Sequence, residues 1–238
     1  MNLFRPTYSH GDRLETAGHP VRLSVNPRAR RVSLRIDRAR REVVAIAPSA
    51  RRLAEAVAFA KDKADWIAAQ LADLPDPARL APGQTISLFG ETVRLEAGAG
   101  RARLKDGVLT SPDDAAFGDR AIRLIKAEAR RVLAERTSHY AAVLGKPDPK
   151  LAIMDARGRW GSCKQGLGGQ PGSIRYSWRL ALAPFAVADY VVAHECAHLV
   201  EANHGPRFWA VVKNLVGDHA PHRAWLRSHG ARLHAFGR

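Results

Sequence analysis

The chain has 238 residues, 46% of them hydrophobic, two cysteines and a formal net charge of +15. That length and apolar content suffice for one large domain or two modest ones, which excludes a disordered tail and a disulfide-stapled miniprotein. Cys163 and Cys196 are too few for a secreted framework, and Arg5, Pro6 and Asp12 stand where a signal peptide would be apolar, so a reducing cytoplasm is expected.

Residues 1–20 show no apolar periodicity and are expected to form a loose leader. Short β-type runs follow at Val21–Val25, Val32–Ile36 and Val43–Ala47, with turn residues Asn26-Pro27-Arg28 and Asp37-Arg38-Ala39 between them. This pattern predicts a small antiparallel meander. Arg28, Arg30, Arg31, Arg35, Arg38, Arg40 and Arg41 crowd its second half, either as an ordinary solvated face or as a nucleic-acid contact. Leu53, Val57, Ala60, Ala64, Ile67, Leu71 and Leu74 then recur at helical spacing until Pro75, which predicts one helix packed on the sheet. Thr85–Phe89 and Thr92–Glu96 read as a hairpin around Gly90-Glu91, with a weaker strand at Gly107–Thr110.

A second helix is expected from about Phe117 to Leu144, ending at Gly145 and Pro147, with a domain boundary at 111–116 just before it. The predicted organisation is therefore a leader over 1–20, a β-rich subdomain over 21–115 and a catalytic domain over 116–238. Strands at Leu151–Ala156 and Ser173–Trp178 flank a glycine-rich excursion, Gly166–Gly172. The charge-free run Leu180–Ala188 is broken by Pro184 and closed by Asp189, far short of the roughly 18 residues of a membrane span. No transmembrane helix is predicted.

Ala186–Glu201 contains neither proline nor glycine and reads as a helix started by Pro184. Within it stands His194-Glu195-Cys196-Ala197-His198. Residues i and i+4 share a helix face, so His194 and His198 can aim imidazole nitrogens at one ion, while Glu195, about 100° round the helix, serves as a base for water. With 10 His and 9 Glu in the chain, chance predicts only about 0.02 such pentapeptides. His204 follows six residues after His198, and Asn203 and Gly205 can turn the chain back so that it supplies a third nitrogen. Three neutral imidazoles leave one position of a tetrahedral zinc open to water. The histidine spacing equals that of metzincins, but Glu201 replaces their central glycine and no methionine follows the site.

Arg159-Trp160-Gly161-Ser162-Cys163, then Ile174, Trp178-Arg179-Leu180, Asp189-Tyr190-Val191-Val192-Ala193-His194-Glu195, Asn203-His204-Gly205 and Phe208-Trp209 together resemble the YgjP-like metallopeptidase family, related to the SprT-like and WLM zinc proteases. The resemblance runs from about residue 20 to 230 and is most specific between 157 and 209. It implies an α+β fold with a zincin-like, minigluzincin-type core, zinc on His194, His198 and His204, and Glu195 as catalytic base. The sequence departs from the family pattern in three places. Cys196 stands where leucine is usual, Ser177 replaces a common asparagine, and the Gly166–Gly172 loop is longer.

Around this motif several roles stay open. Cys196 lies about 200° from His194 and should face the core, whereas Cys163 borders either the cleft or a packing turn. Phe208 and Trp209 fit support from beneath the site. Asp189 either caps the helix or holds a ligand imidazole in its tautomer. His219, His222, His229, His234, Tyr176, Tyr190 and Arg175 are rival oxyanion donors. The leading expectation is a zinc-dependent peptidase acting on peptide or protein substrates. The alternatives are a zinc phosphohydrolase whose arginines hold nucleotide phosphates, and a nucleic-acid-binding module with structural zinc. Structural zinc is disfavoured because only three good ligands are present.

Overall fold

In the N-terminal sequence the run Glu42–Ala47 is apolar on both faces, with Val43, Val44, Ala45 and Ala47 all buried, and this decides the order of the first sheet. The computed structural model describes residues 7–16, 18–37, 40–72, 79–156 and 158–237. Its chain divides into two units, Met1–Asp76 and Pro77–Arg238, each with its own core.

The first unit has strands β1 (Arg13–Thr16), β2 (His19–Val25), β3 (Ser33–Asp37) and β4 (Glu42–Ala47) in the order β1-β2-β4-β3. The expected strands form, but not as a meander. β4 inserts between β2 and β3 and runs parallel to β2, because a strand apolar on both faces is best placed centrally, while half-exposed β3 takes an edge. Part of the expected leader is also ordered, since Arg13–Thr16 pairs antiparallel with β2. Buried Glu42 collects several arginines: Arg22 at 2.7 Å, Arg13 at 3.6 Å and Arg40 at 3.7 Å. Arg38 lies outside the described residues.

The long helix expected next is two helices, α1 (Leu53–Asp62) and α2 (Ala64–Ala72), broken at Lys63, whose φ and ψ of −100° and 22° leave the helical register. Leu53, Ala56, Val57 and Ala60 of α1 and Ile67 and Leu71 of α2 still face the sheet core as their spacing requires. Leu74 falls outside the described residues.

The second unit opens with β5 (Thr85–Leu88), β6 (Glu91–Ala97), β7 (Arg103–Lys105) and β8 (Val108–Ser111), ordered β5-β6-β8-β7. The boundary expected at 111–116 falls inside this unit. The β5–β6 turn is pinned to the helical half: Phe89 N–H donates to the Ala181 carbonyl at 2.6 Å, and Phe185 N–H donates to the Phe89 carbonyl at 3.1 Å. Phe89 and Gly90 both hold positive φ there, 53° and 94°.

The 27-residue α3 (Phe117–Val143) follows, burying Ala121, Ile125, Ala129, Leu133 and Tyr140 along one stripe. Then come β9 (Lys150–Met154), β10 (Gly161–Lys164) and β11 (Ser173–Ser177), in the order β10-β11-β9, with β10 at an edge. A 3-10 turn over Trp178–Leu182 leads to α4 (Phe185–Ala197), then α5 (Pro206–Val216) and α6 (Ala220–Ala235). The architecture is α+β. α4 is buried nearly all round, as befits the central helix of this unit, with α3, α5, α6 and β10 packed about it. Among the described residues no helix is long and apolar enough to cross a membrane.

Candidate metal centre

α4 carries His194 one turn before its end and His198 at its C-cap. The chain then turns through Leu199–Asn203, held by Glu201 N–H donating to the Ala197 carbonyl at 2.9 Å, and re-enters a helix at Pro206 with Gly205 as N-cap. His204 projects from this turn. The return needs no left-handed residue, contrary to the expectation for Asn203 and Gly205: Gly205 has φ −80°, and a Cβ there would meet nothing within 4 Å.

The three rings converge. His204 Nε2 lies 3.1 Å from His194 Nε2 and 3.2 Å from His198 Nε2, so all three can serve one ion. Tetrahedral bonds of about 2.0–2.1 Å would set ligand nitrogens about 3.3–3.4 Å apart, close to those separations. The donor set therefore fits a divalent cation. Burial pushes His194 down to about 4, helped by the neighbouring charges of His198, His204, Arg223 and His219, and burial also lowers His198. Both shifts favour the neutral, lone-pair-bearing imidazole that a metal requires.

Support around the rings is uneven. His198 Nδ1 donates to the Glu201 carbonyl at 3.0 Å, which fixes the tautomer that leaves Nε2 free. His194 Nδ1 is buried without a hydrogen-bond partner among the described residues. Asp189 does neither job expected of it. Arg136 on α3 donates Nε to its Oδ1 at 2.7 Å, and the Tyr140 hydroxyl donates to its Oδ2 at 2.7 Å, so it anchors α4 to α3. Fully buried Phe208 lies beneath all three rings, with centroids 4.9, 4.5 and 4.7 Å from His194, His198 and His204. Trp209 sits 5.9 Å from both His194 and His204.

Glu195 is buried, and that burial raises its carboxyl to about 7 against the opposing charge of Arg159. β10 passes directly over it. A Cβ placed on Gly161 would stand 2.5 Å from Glu195 Oε1, so glycine alone permits this approach. Gly161 and Cys163 of β10 line a cleft of about 680 Å³ together with Gln165, Glu195, His194, His198 and His204. Gln165 Nε2 donates to the His198 carbonyl at 2.7 Å, closing the end of α4.

Of the remaining candidates, Cys196 is buried with its sulfur 3.9 Å from the Thr137 carbonyl on α3, so it faces the core. Cys163 does border the cleft, and burial pushes its thiol up to about 12, which disfavours a thiolate ligand. Tyr176 is fully buried, its hydroxyl 3.0 Å from Thr137 Oγ1, and so is no oxyanion donor. His229 stacks on Trp225 at 4.5 Å and His234 on Trp160 at 4.3 Å. Arg175 is exposed on β11. Tyr190 and His219 remain near the triad, Tyr190 with its ring 6.0 Å from His194.

Sequence reasoning offered the cleft as one of two places for Cys163 but missed the pairing of β10 as an edge strand, Gly161 as the contact over Glu195, and Arg136 with Tyr140 as the holders of Asp189. The sequence signal for the first two was a glycine inside a short strand-like run, which marks a close backbone approach. Arg136 left no such signal.

The model of the YgjP-like metallopeptidase domain matches residues 30–229 of the chain. The chain belongs to the YgjP-like metallopeptidase family. No curated protein and no solved structure matches it. Membership of this family implies a metal cofactor and peptide or protein substrates for the YgjP-like domain.

Proposed function

We propose that the chain is a zinc-dependent peptidase of the HExxH type, with His194, His198 and His204 as metal ligands and Glu195 as catalytic base. The convergence of three Nε2 atoms beside a buried carboxylate carries this reading. His194, His198 and His204 would hold the zinc ion, which when bound would supply Lewis acidity towards water and a substrate carbonyl. Glu195 accepts the proton that attacking water loses and delivers it to the departing amide nitrogen, so one carboxylate acts first as base and then as acid. Gly161 keeps that carboxylate aimed into the cleft, and Phe208 excludes water from beneath the ligand rings.

The substrate end of the reading rests on β10. It pairs only with β11 among the described residues, so its other edge faces the cleft as a template for an extended peptide. Lys164 is the single lysine or arginine lining that cleft among the described residues, too little cation for a nucleotide's phosphates. The minigluzincin-type core is proposed to lie over residues 116–238, which hold every ligand and the base.

The deciding experiment measures peptide cleavage and metal content together. Glu195→Gln is expected to keep about one zinc per chain by plasma mass spectrometry while cleavage falls by a factor on the order of 10²–10⁴. Full cleavage by that variant would remove Glu195 from the reaction. His204→Ala is expected to lose both metal and cleavage.

A further inference from the structure

Beyond the ligand triad, the α5–α6 side of the centre carries a group of donors that the hydrolytic reading does not use. Residues 206–238 contain six lysines and arginines against one acidic residue, Asp218, whose carboxylate is taken by the Ala220 N–H at 2.9 Å. Arg223 is exposed and forms no ion pair among the described residues. Its guanidinium lies over the Trp209 ring at 4.7 Å, and the same ring is 5.9 Å from the His194 and His204 imidazoles. His219 and His222 complete the group, 5.9 and 6.0 Å from the ring of Tyr190, and His219 is 4.8 Å from Trp209. His219 Nδ1 is buried and has no hydrogen-bond partner among the described residues. A guanidinium over an aromatic ring thus stands with an unused imidazole donor one aromatic ring away from the histidine triad.

Resting on the peptidase reading, we propose that Arg223, His219 and His222 form a specificity subsite that binds a substrate carboxylate, supplied by an acidic side chain or by a free C-terminus. A guanidinium presents two parallel N–H groups that match one planar carboxylate, and stacking on Trp209 restricts the fork to a few orientations. Each imidazole of His219 and His222 adds a ring N–H donor beside the guanidinium. One guanidinium with two ring N–H donors matches a single planar carboxylate, whereas a triphosphate calls for several guanidinium or ammonium groups or a backbone nest. The reach is right as well: extended chain spans about 3.3 Å per residue, so a carboxylate within about three residues of the scissile bond can touch Arg223 while the bond lies at the triad.

The test uses the full chain and a set of matched peptides. Each sequence is made with Asp or Glu and with the corresponding amide near the cleavage site, and each with a C-terminal acid and a C-terminal amide. For zinc-loaded wild type, kcat/KM is expected to be about tenfold higher for the carboxylate form in one of the two series, and that series identifies the source. Arg223→Met and, separately, His219→Gln are read by the acid-to-amide ratio, which is expected to fall towards one in the first and by a smaller factor in the second. The same acid and amide peptides are titrated by calorimetry into Glu195→Gln protein, where no turnover is needed. Absence of cleavage with preserved, Arg223-dependent acid preference in binding would sink the peptidase reading and leave the subsite standing. Equal binding and cleavage of acid and amide peptides, a ratio unchanged in Arg223→Met, or Arg223-dependent binding of inorganic phosphate and not of the acidic peptides would overturn the subsite.

Discussion

Gly161→Ala tests the geometry of the proposed base without touching a ligand or Glu195 itself. The added methyl carbon would sit 2.5 Å from Glu195 Oε1, 2.6 Å from Cγ and 2.7 Å from Cδ, all well inside van der Waals contact. Gly161 is not among the residues of positive φ, so the effect is steric and not a matter of backbone strain. Relief demands that the carboxylate or β10 move by about 1 Å, a displacement that at a reacting centre costs on the order of 10²-fold in rate. Overpacking of this kind should also lower stability by about 1–3 kcal/mol. The assay compares kcat for a cleaved peptide, zinc content and melting temperature in Gly161→Ala with those of Gly158→Ala, where a Cβ meets nothing within 4 Å. Retained zinc with kcat reduced about 10²-fold in the first, and wild-type values in the second, is the expected outcome. A Gly161→Ala protein with wild-type kcat would refute the placement of Glu195 against β10 as the origin of its aim.

Other perturbations separate the metal from its scaffold. Chelation should lower the melting temperature and zinc should restore it, since an ion bound only by the native chain stabilises that state; an unchanged melt would argue against a site formed by His194, His198 and His204. Arg136→Met removes the fork that holds Asp189, leaving Tyr140 as its partner, and should cost about 1–3 kcal/mol in urea unfolding, with part of the pair's attraction already discounted for its contact with water. An unfolding midpoint equal to wild type would show that the pair does not anchor α4. Gln165→Ala frees the His198 carbonyl and should weaken zinc affinity within the 10–100-fold range typical of outer contacts, read by competition with a chelating dye.

The parts of the fold legible in the sequence are those where one face alone is buried. α3 shows its stripe of Ile125, Ala129 and Leu133 because the opposite side is wet, and the β5–β6 hairpin is marked by its turn. The order of the first sheet was not legible, since strand neighbours depend on which run is apolar on both faces and on a crossover that no local pattern encodes. The break at Lys63 escaped for a related reason: α1 and α2 keep a common buried side, so the periodicity runs on across a change of backbone. At the site, helical geometry placed His194 against His198 and set Cys196 towards the core. Asp189 was misjudged because its partners, Arg136 and Tyr140, lie about fifty residues earlier in the chain, a separation across which sequence spacing says nothing.

That misjudgement bears on how the centre keeps its shape. A metal site loses affinity when its ligands must be ordered on binding, so the proposed centre requires α4 to be fixed before any ion arrives. It does so from both ends and from below: Asp189 ties the N-terminal half to α3, Gln165 holds the last carbonyl, and Phe208 fills the space under the rings. His204 has the least of this support, standing exposed on a turn. Two of the proposed ligands are therefore set by the helix and the third by the short path from His198 to α5, whose length the Ala197–Glu201 hydrogen bond and the Gly205 cap hold constant. Lengthening that path by one residue between Ala202 and Asn203 should cost metal affinity while leaving the melt of the metal-free protein near wild type, because no core side chain lies in the turn after Leu199.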